Sequence, residues 1–176
     1  MTKMRNRITI LGASLYVLAA MFAIPASAQD KTIVLVRHVE KDTSPTADKI
    51  DPELSDEGKA RAERLAKVVK RYKPHEIFST PFKRTRGTVE PIAKRRNKDI
   101  QTYDPAKPVD LVSKIMDPAS KTVHYLVVGH SNTIPGLANL MAKKEIFRNL
   151  LETEYGVIWV IRIKKGQLTR LEIHPY

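Results

Sequence analysis

The 176-residue chain contains no cysteine. Thiol nucleophiles, disulfides and zinc–thiolate centres are therefore excluded. Aromatic residues make up 6% of the chain and there is a single tryptophan. No basic stripe is interleaved with aromatics and no nucleic-acid-binding motif occurs, so nucleic acid is not an expected partner. Internal repeats and low-complexity linkers are also missing. His38-Val39-Glu40 could open a metal site, but no third ligand follows at a suitable spacing, so neither metal nor cofactor is expected. Acidic residues are the scarce charge, 19 against 31 lysines and arginines, for a net charge of +12. That balance favours anionic partners such as phosphates or an anionic envelope surface.

The first 28 residues read as a targeting segment. Lys3, Arg5 and Arg7 give a basic start, Ile8 to Ile24 is mostly apolar, and Pro25-Ala26-Ser27-Ala28 offers a small-residue cleavage site before Gln29. The apolar run approaches the length of a membrane span, so a retained anchor is the alternative. The Ala-Ser-Ala ending favours cleavage and export, with the bacterial periplasm as the expected compartment. Residues 29–176 would then form one domain, with a net charge of +9 once the three basic residues of the leader are removed.

Within that domain, Thr32 to Val36 is an apolar, β-branched run that reads as a buried strand and leads directly into Arg37-His38-Val39-Glu40-Lys41. Residues 41–53 hold Pro45 and Pro52 and read as a surface loop. Ser55 is a helix N-cap candidate, followed by Asp56 and Glu57. Ala62, Leu65, Ala66, Val69 and Tyr72 then repeat at helical spacing until Pro74. Glu76 to Ser79 is a short strand. Thr80-Pro81 predicts a capped helix start, with Phe82, Val89, Ile92 and Ala93 facing inward and the solvated run Lys94-Arg95-Arg96 at its end. A weak strand at 99–103, a turn at 104–108 and a short helix over 109–116 follow.

Thr122 to Gly129 repeats the opening design, an apolar strand that ends at a histidine, His130. A helix from Thr133 to Ala142 follows, with Pro135 in its first turn. Residues 143–155 form a charged connection. Two alternating strands, 156–163 and 167–173, flank the turn Lys164-Lys165-Gly166 as a hairpin. His75 reads as a surface residue, His124 as satisfied or half exposed, His174 as unremarkable, and Trp159 as core. The pattern predicts an α/β fold: a three-layer sandwich with a mostly parallel sheet and a C-terminal antiparallel hairpin.

In such a sheet the strand carboxyl ends and the following helix amino termini share one edge. Arg37, His38, Arg84 and His130 can therefore converge, although they are far apart in sequence. Two arginines and two histidines around one cavity suit a phosphate group. The guanidinium forks match phosphate oxygens, and one neutral imidazole can attack phosphorus while its other nitrogen is fixed by a carbonyl.

Here the chain resembles a family. Leu35 to Lys41, Leu54 to Gly58 with Ala60-Arg61-Ala62, Ser79 to Thr85 with Thr88, and Val127 to Thr133 are similar, in order, to four blocks of the histidine phosphatase superfamily. That group is phosphoglycerate-mutase-like, and the chain looks like its branch of small phosphatases. The resemblance implies His38 as the phosphorylated nucleophile and Arg37, Arg84 and His130 as the phosphate pocket. Ser131 or nearby backbone N–H groups would add a hydrogen bond. It also implies an α/β sandwich, no metal and an anionic phosphorylated substrate.

Three departures matter. The glutamate acid of larger members is absent from Gln101 to Pro108, which leaves Asp104 and Glu40 as acid candidates, with Asp104 alternatively shaping an Asp-Pro turn. Gly87 stands where many members have glutamine. Insertions that would cap the pocket are nearly missing, so hydrolysis is favoured over intramolecular phosphoryl transfer, which needs a closing lid. The expected activity is a phosphatase acting on phosphomonoesters or phosphohistidine. A catalytically degenerate module that binds phosphorylated ligands in the same pocket is the alternative.

Overall fold

The computed structural model describes residues 29–176. The leader read from residues 1–28 lies outside the described residues.

Six strands form one sheet in the order β3-β2-β4-β1-β5-β6: β1 Lys31–Arg37, β2 Glu76–Ser79, β3 Ile100–Thr102, β4 His124–Gly129, β5 Val157–Lys164 and β6 Gln167–Pro175. The first four in that order run parallel, and β5 and β6 add an antiparallel hairpin beside β1. Four helices cover the faces: α1 Asp56–Val69, α2 Lys83–Arg96, α3 Pro108–Met116 and α4 Thr133–Ala142.

Strand periodicity divides the core into two layers. Val34 and Val36 of β1 pack with Leu126, Val128, Leu65, Val69, Val89 and Ile92 beneath α1 and α2. Ile33 and Leu35 face the other way and pack with Tyr125, Val127, Leu111, Ile115, Ile134 and Leu137 beneath α3 and α4. A central strand covered on both faces needs a continuous apolar run rather than alternation, and β1 and β4 have such runs. The three-layer, mostly parallel sandwich expected from the sequence is the observed architecture.

Local deviations have local causes. Ser55 caps α1 as expected, its hydroxyl accepting the Gly58 N–H at 3.1 Å. The helix then tightens into a single 3₁₀ turn over Lys70–Tyr72, closed by Lys73 in the left-handed region. Thr80 does not cap α2. Phe82 is extended and occupies the cap position without a side-chain bond, and the Lys83 N–H donates instead to Asp51 Oδ1 at 2.9 Å. The Thr80 hydroxyl is diverted elsewhere, as described below.

Gly58 sits against the turn that follows β1. A Cβ there would lie 2.1 Å from the Glu40 carbonyl oxygen. Because the obstruction is backbone, relief requires α1 or the 38–40 turn to move. Gly58→Ala is expected to cost about 1–3 kcal/mol, read as a lowered thermal or denaturant midpoint. An unchanged midpoint would mean that this contact is not tight.

Candidate active site

The β1–β4 pairing builds the site. Arg37 lies opposite Gly129 in register, and the His38 N–H donates to the Gly129 carbonyl at 2.8 Å. The residues that follow each strand, His38 and His130, thereby meet with ring centroids 5.5 Å apart, edge to face. Gly129 has no room for a side chain. A Cβ would meet Thr133 Oγ1 at 2.5 Å and the Tyr103 hydroxyl at 2.6 Å. Thr133 Oγ1 accepts the His130 N–H at 2.7 Å and so fixes the turn into α4.

The His38 ring is oriented by its own backbone neighbourhood. Nδ1 lies 2.8 Å from the Val39 carbonyl oxygen, which can only accept, so the neutral ring carries its proton on Nδ1 and keeps a lone pair on Nε2. Burial, outweighing the bond to Val39, lowers the His38 pKa to about 3, with Arg37, His130 and Arg84 adding to the shift. His130 is lowered to about 4 by burial and then by Arg84 and Arg37. At neutral pH the fixed positive charge of this cluster therefore comes from the arginines, with two uncharged imidazoles between them.

The His130 ring is held from two sides. Thr80 Oγ1 lies 3.0 Å from Nε2, and that hydroxyl is itself 2.7 Å from Thr85 Oγ1. Phe82 packs its edge against the ring at 5.2 Å. Arg84 stacks over Phe82 at 4.5 Å and approaches Asp51 at 3.6 Å. Thr88, fully buried, joins the pieces: its hydroxyl donates to the Arg84 carbonyl at 2.7 Å and accepts the Val39 N–H at 3.1 Å.

Arg37 is the most enclosed charge of the group, with a side chain 2% exposed. Nη1 donates to the carbonyls of Leu151 and Glu154 at 2.6 and 3.1 Å. Nη2 reaches Tyr155 Oη at 3.4 Å and Glu152 Oε2 at 3.3 Å, and the guanidinium lies 4.2 Å from the centre of the Tyr155 ring. Its buried Nε has no partner among the described residues, which leaves a donor for an anion. The connection between α4 and β5, read from sequence only as charged, is thus part of the site. Ser131 belongs to the same cluster, its hydroxyl donating to Glu152 Oε1 at 3.3 Å.

The two acid candidates lie apart from this cluster. Glu40 receives Arg61 Nε on both oxygens, at 2.7 and 2.9 Å, and braces the 38–40 turn against α1. Asp104 accepts the Ala106 N–H at 2.9 Å and shapes an exposed turn. Neither carboxylate contacts Arg37, His38, Arg84 or His130 among the described residues. Sequence reading passed over Glu152 and Tyr155, and gave Thr80 only the start of a helix. Only the acidic character of 152 and 154 marked that loop, and a surface loop would show the same. Of the remaining histidines, His75 is exposed and stacks on His124 at 5.3 Å. His124 is half-buried, and its Nδ1 has no partner among the described residues.

The depressed imidazoles have a consequence for stability. Between about pH 6.5 and pH 3 an unfolded chain binds protons at positions 38 and 130 that the folded chain refuses, so stability falls with pH through this window. Proton NMR should find both rings uncharged at pH 5.5, and His38→Gln should flatten part of the acid-side loss in the denaturation midpoint. Ring titration near pH 6.5 would contradict the burial described.

Residues 33–110 match the histidine phosphatase superfamily (branch 1). A 95-residue stretch is 33% identical to phosphoserine phosphatase 1 of Hydrogenobacter thermophilus, covering 48% of this chain and 45% of that protein. The chain thus spans about half the length of this curated relative. Among solved structures, the mycobacterial glucosyl-3-phosphoglycerate phosphatase superposes with a TM-score of 0.64 at 13% identity, over 84% of this chain and 99% of the other. The protein histidine phosphatase SixA complexed with tungstate gives 0.64 at 14% identity, over 82% and 96%. At such identities the structural likeness speaks to the fold. The family match thus falls on the motif-bearing segment 33–110, and the fold is the one these phosphatase structures share.

Proposed function

We propose that the protein is a metal-independent phosphatase that hydrolyses phosphomonoesters, or phosphohistidine, through a phosphohistidine intermediate on His38. The observation that carries this reading is the His38 ring: Nδ1 is committed to the Val39 carbonyl and Nε2 is free, beside His130 and the guanidinium groups. A phosphoryl group would be held by Arg84, by the Nε–H of Arg37 and by His130, whose Nε2 meets the Thr80 hydroxyl. Nε2 of His38 attacks phosphorus and the ester oxygen departs. Water then displaces the imidazole and releases phosphate. Negative charge on the equatorial oxygens is met by guanidinium groups already fixed in place, so little reorganisation is needed at the transition state. The names of the relatives agree with a phosphorylated substrate: phosphoserine phosphatase in one, and a complex with inorganic phosphate in a mycobacterial structure at 14% identity.

We also propose that the protein is exported and processed before Gln29, on the basic start, apolar run and small-residue ending of residues 1–28. Peripheral contact with an anionic envelope surface fits a second feature. A groove of about 610 Å³ between α1 and α2 is lined by Lys67, Lys70, Arg95 and Arg96 over Ala66 and Ile92.

One preparation tests both proposals. Protein recovered from a periplasmic extract should have an intact mass that begins at Gln29, and it should hydrolyse p-nitrophenyl phosphate in the presence of a chelator. His38→Ala should abolish turnover. Arg84→Ala and His130→Ala should each cost about 10²-fold or more in kcat. A His38→Ala protein that turns over at the original rate rules out this nucleophile. Tungstate binding without turnover on any phosphorylated substrate would favour the non-catalytic binding module instead.

A further inference from the structure

The missing acid has a structural answer outside the segment where the family resemblance looks for it. The Glu152 carboxylate sits across the ends of the two central strands. Oε2 lies 3.3 Å from Arg37 Nη2 at the end of β1, and Oε1 accepts the Ser131 hydroxyl at 3.3 Å beyond the end of β4. Lys41 approaches the same Oε2 at 3.8 Å. The side chain is 69% exposed, so it borders the opening rather than the floor of the site. Its backbone is held, because the flanking carbonyls of Leu151 and Glu154 both accept from Arg37 Nη1. The Leu150 N–H also donates to the Ser131 carbonyl at 2.8 Å.

We propose that Glu152 is the general acid–base of the reaction, protonating the departing alcohol and then activating the water that releases phosphate from His38. The proposal rests on the phosphohistidine reading above and assigns the proton steps of that same site. Glu152 is the counter-ion of Arg37. A phosphoryl group seated against Arg37 takes over that role and brings negative charge beside the carboxylate. The carboxylate, released from Arg37, is then free to carry the proton that the ester monoanion or solvent supplies.

The steps balance. His38 Nε2 forms the P–N bond as the P–O ester bond breaks, and the departing oxygen takes the Glu152 proton to leave as the alcohol. The carboxylate then removes a proton from water as its oxygen forms the new P–O bond and the P–N bond breaks. Hydrogen phosphate, neutral His38 and protonated Glu152 remain. Exposure suits this role, since the alcohol and the water both pass the mouth of the site. A carboxylate that alternately pairs with Arg37 and serves the substrate also explains why this short chain can lack an acid near Asp104.

A structural role for the ion pair would look different in kinetics. Glu152→Gln keeps shape and hydrogen bonding but cannot transfer the proton. On phosphoserine, whose alkoxide leaves poorly, kcat should fall about 10²-fold or more. On p-nitrophenyl phosphate the first step needs little protonic help, so the variant should release a burst of one nitrophenol per molecule and then stall. Acid-labile phosphate should accumulate on His38 during the stall. Equal losses on both substrates without a burst, or a rise in KM alone, would overturn the assignment and leave Glu152 as a positioning residue for Arg37. Failure of the underlying phosphatase reading gives a separate signature: the unsubstituted protein would form no labile phosphate on His38 with either substrate.

Discussion

The hydrogen bond from the His38 N–H to the Gly129 carbonyl, 2.8 Å long, extends the parallel β1–β4 ladder one residue past its last register pair, Arg37 with Gly129. That single extension decides the site. It carries the turn after β1 alongside the turn after β4, so two imidazoles separated by 92 positions in sequence stand 5.5 Å apart. Everything packed around them answers to this spacing. Gly129 cannot bear a Cβ, Gly58 leaves room for the Glu40 carbonyl, and the buried Thr88 hydroxyl locks α2 against the same turn.

The second constraint is electrostatic. A guanidinium almost removed from water is costly unless its donors are met. Carbonyls of the 151–154 loop, Tyr155 and Glu152 meet most of them for Arg37, and one Nε–H remains. The loop therefore does two things with one set of contacts: it makes the buried charge tolerable, and it brings an exposed carboxylate to the opening. The imidazoles pay the opposite way, since burial near fixed positive charge keeps them neutral, the form in which a ring nitrogen is nucleophilic.

Legibility in the sequence followed the range of the interactions. β1, β4 and the α4 span Thr133–Ala142 were readable because continuous apolar runs and a proline confined to a first helical turn are local signals. Convergence of Arg37, His38, Arg84 and His130 was readable one level up, from the rule that parallel strands end on a common edge. Thr80 was misread because Thr-Pro before a helix has a strong local meaning, whereas its partner His130 is 50 residues away. Asp104 and Glu40 drew attention by type and position, but their carboxylates serve a turn and Arg61. The contacts of Arg37 with Leu151, Glu154 and Tyr155 span 114 to 118 residues and involve two main-chain oxygens, so no side-chain pattern could announce them.

The central claim is the tautomer of His38: Nδ1 committed to the Val39 carbonyl, Nε2 left to react. Nitrogen-15 NMR of protein labelled at histidine and treated with a small phosphodonor reads directly which ring nitrogen becomes bonded to phosphorus. Phosphorus coupling at Nε2 of His38 is the predicted result. Coupling at Nδ1, or on the ring of His130 instead, would contradict the account.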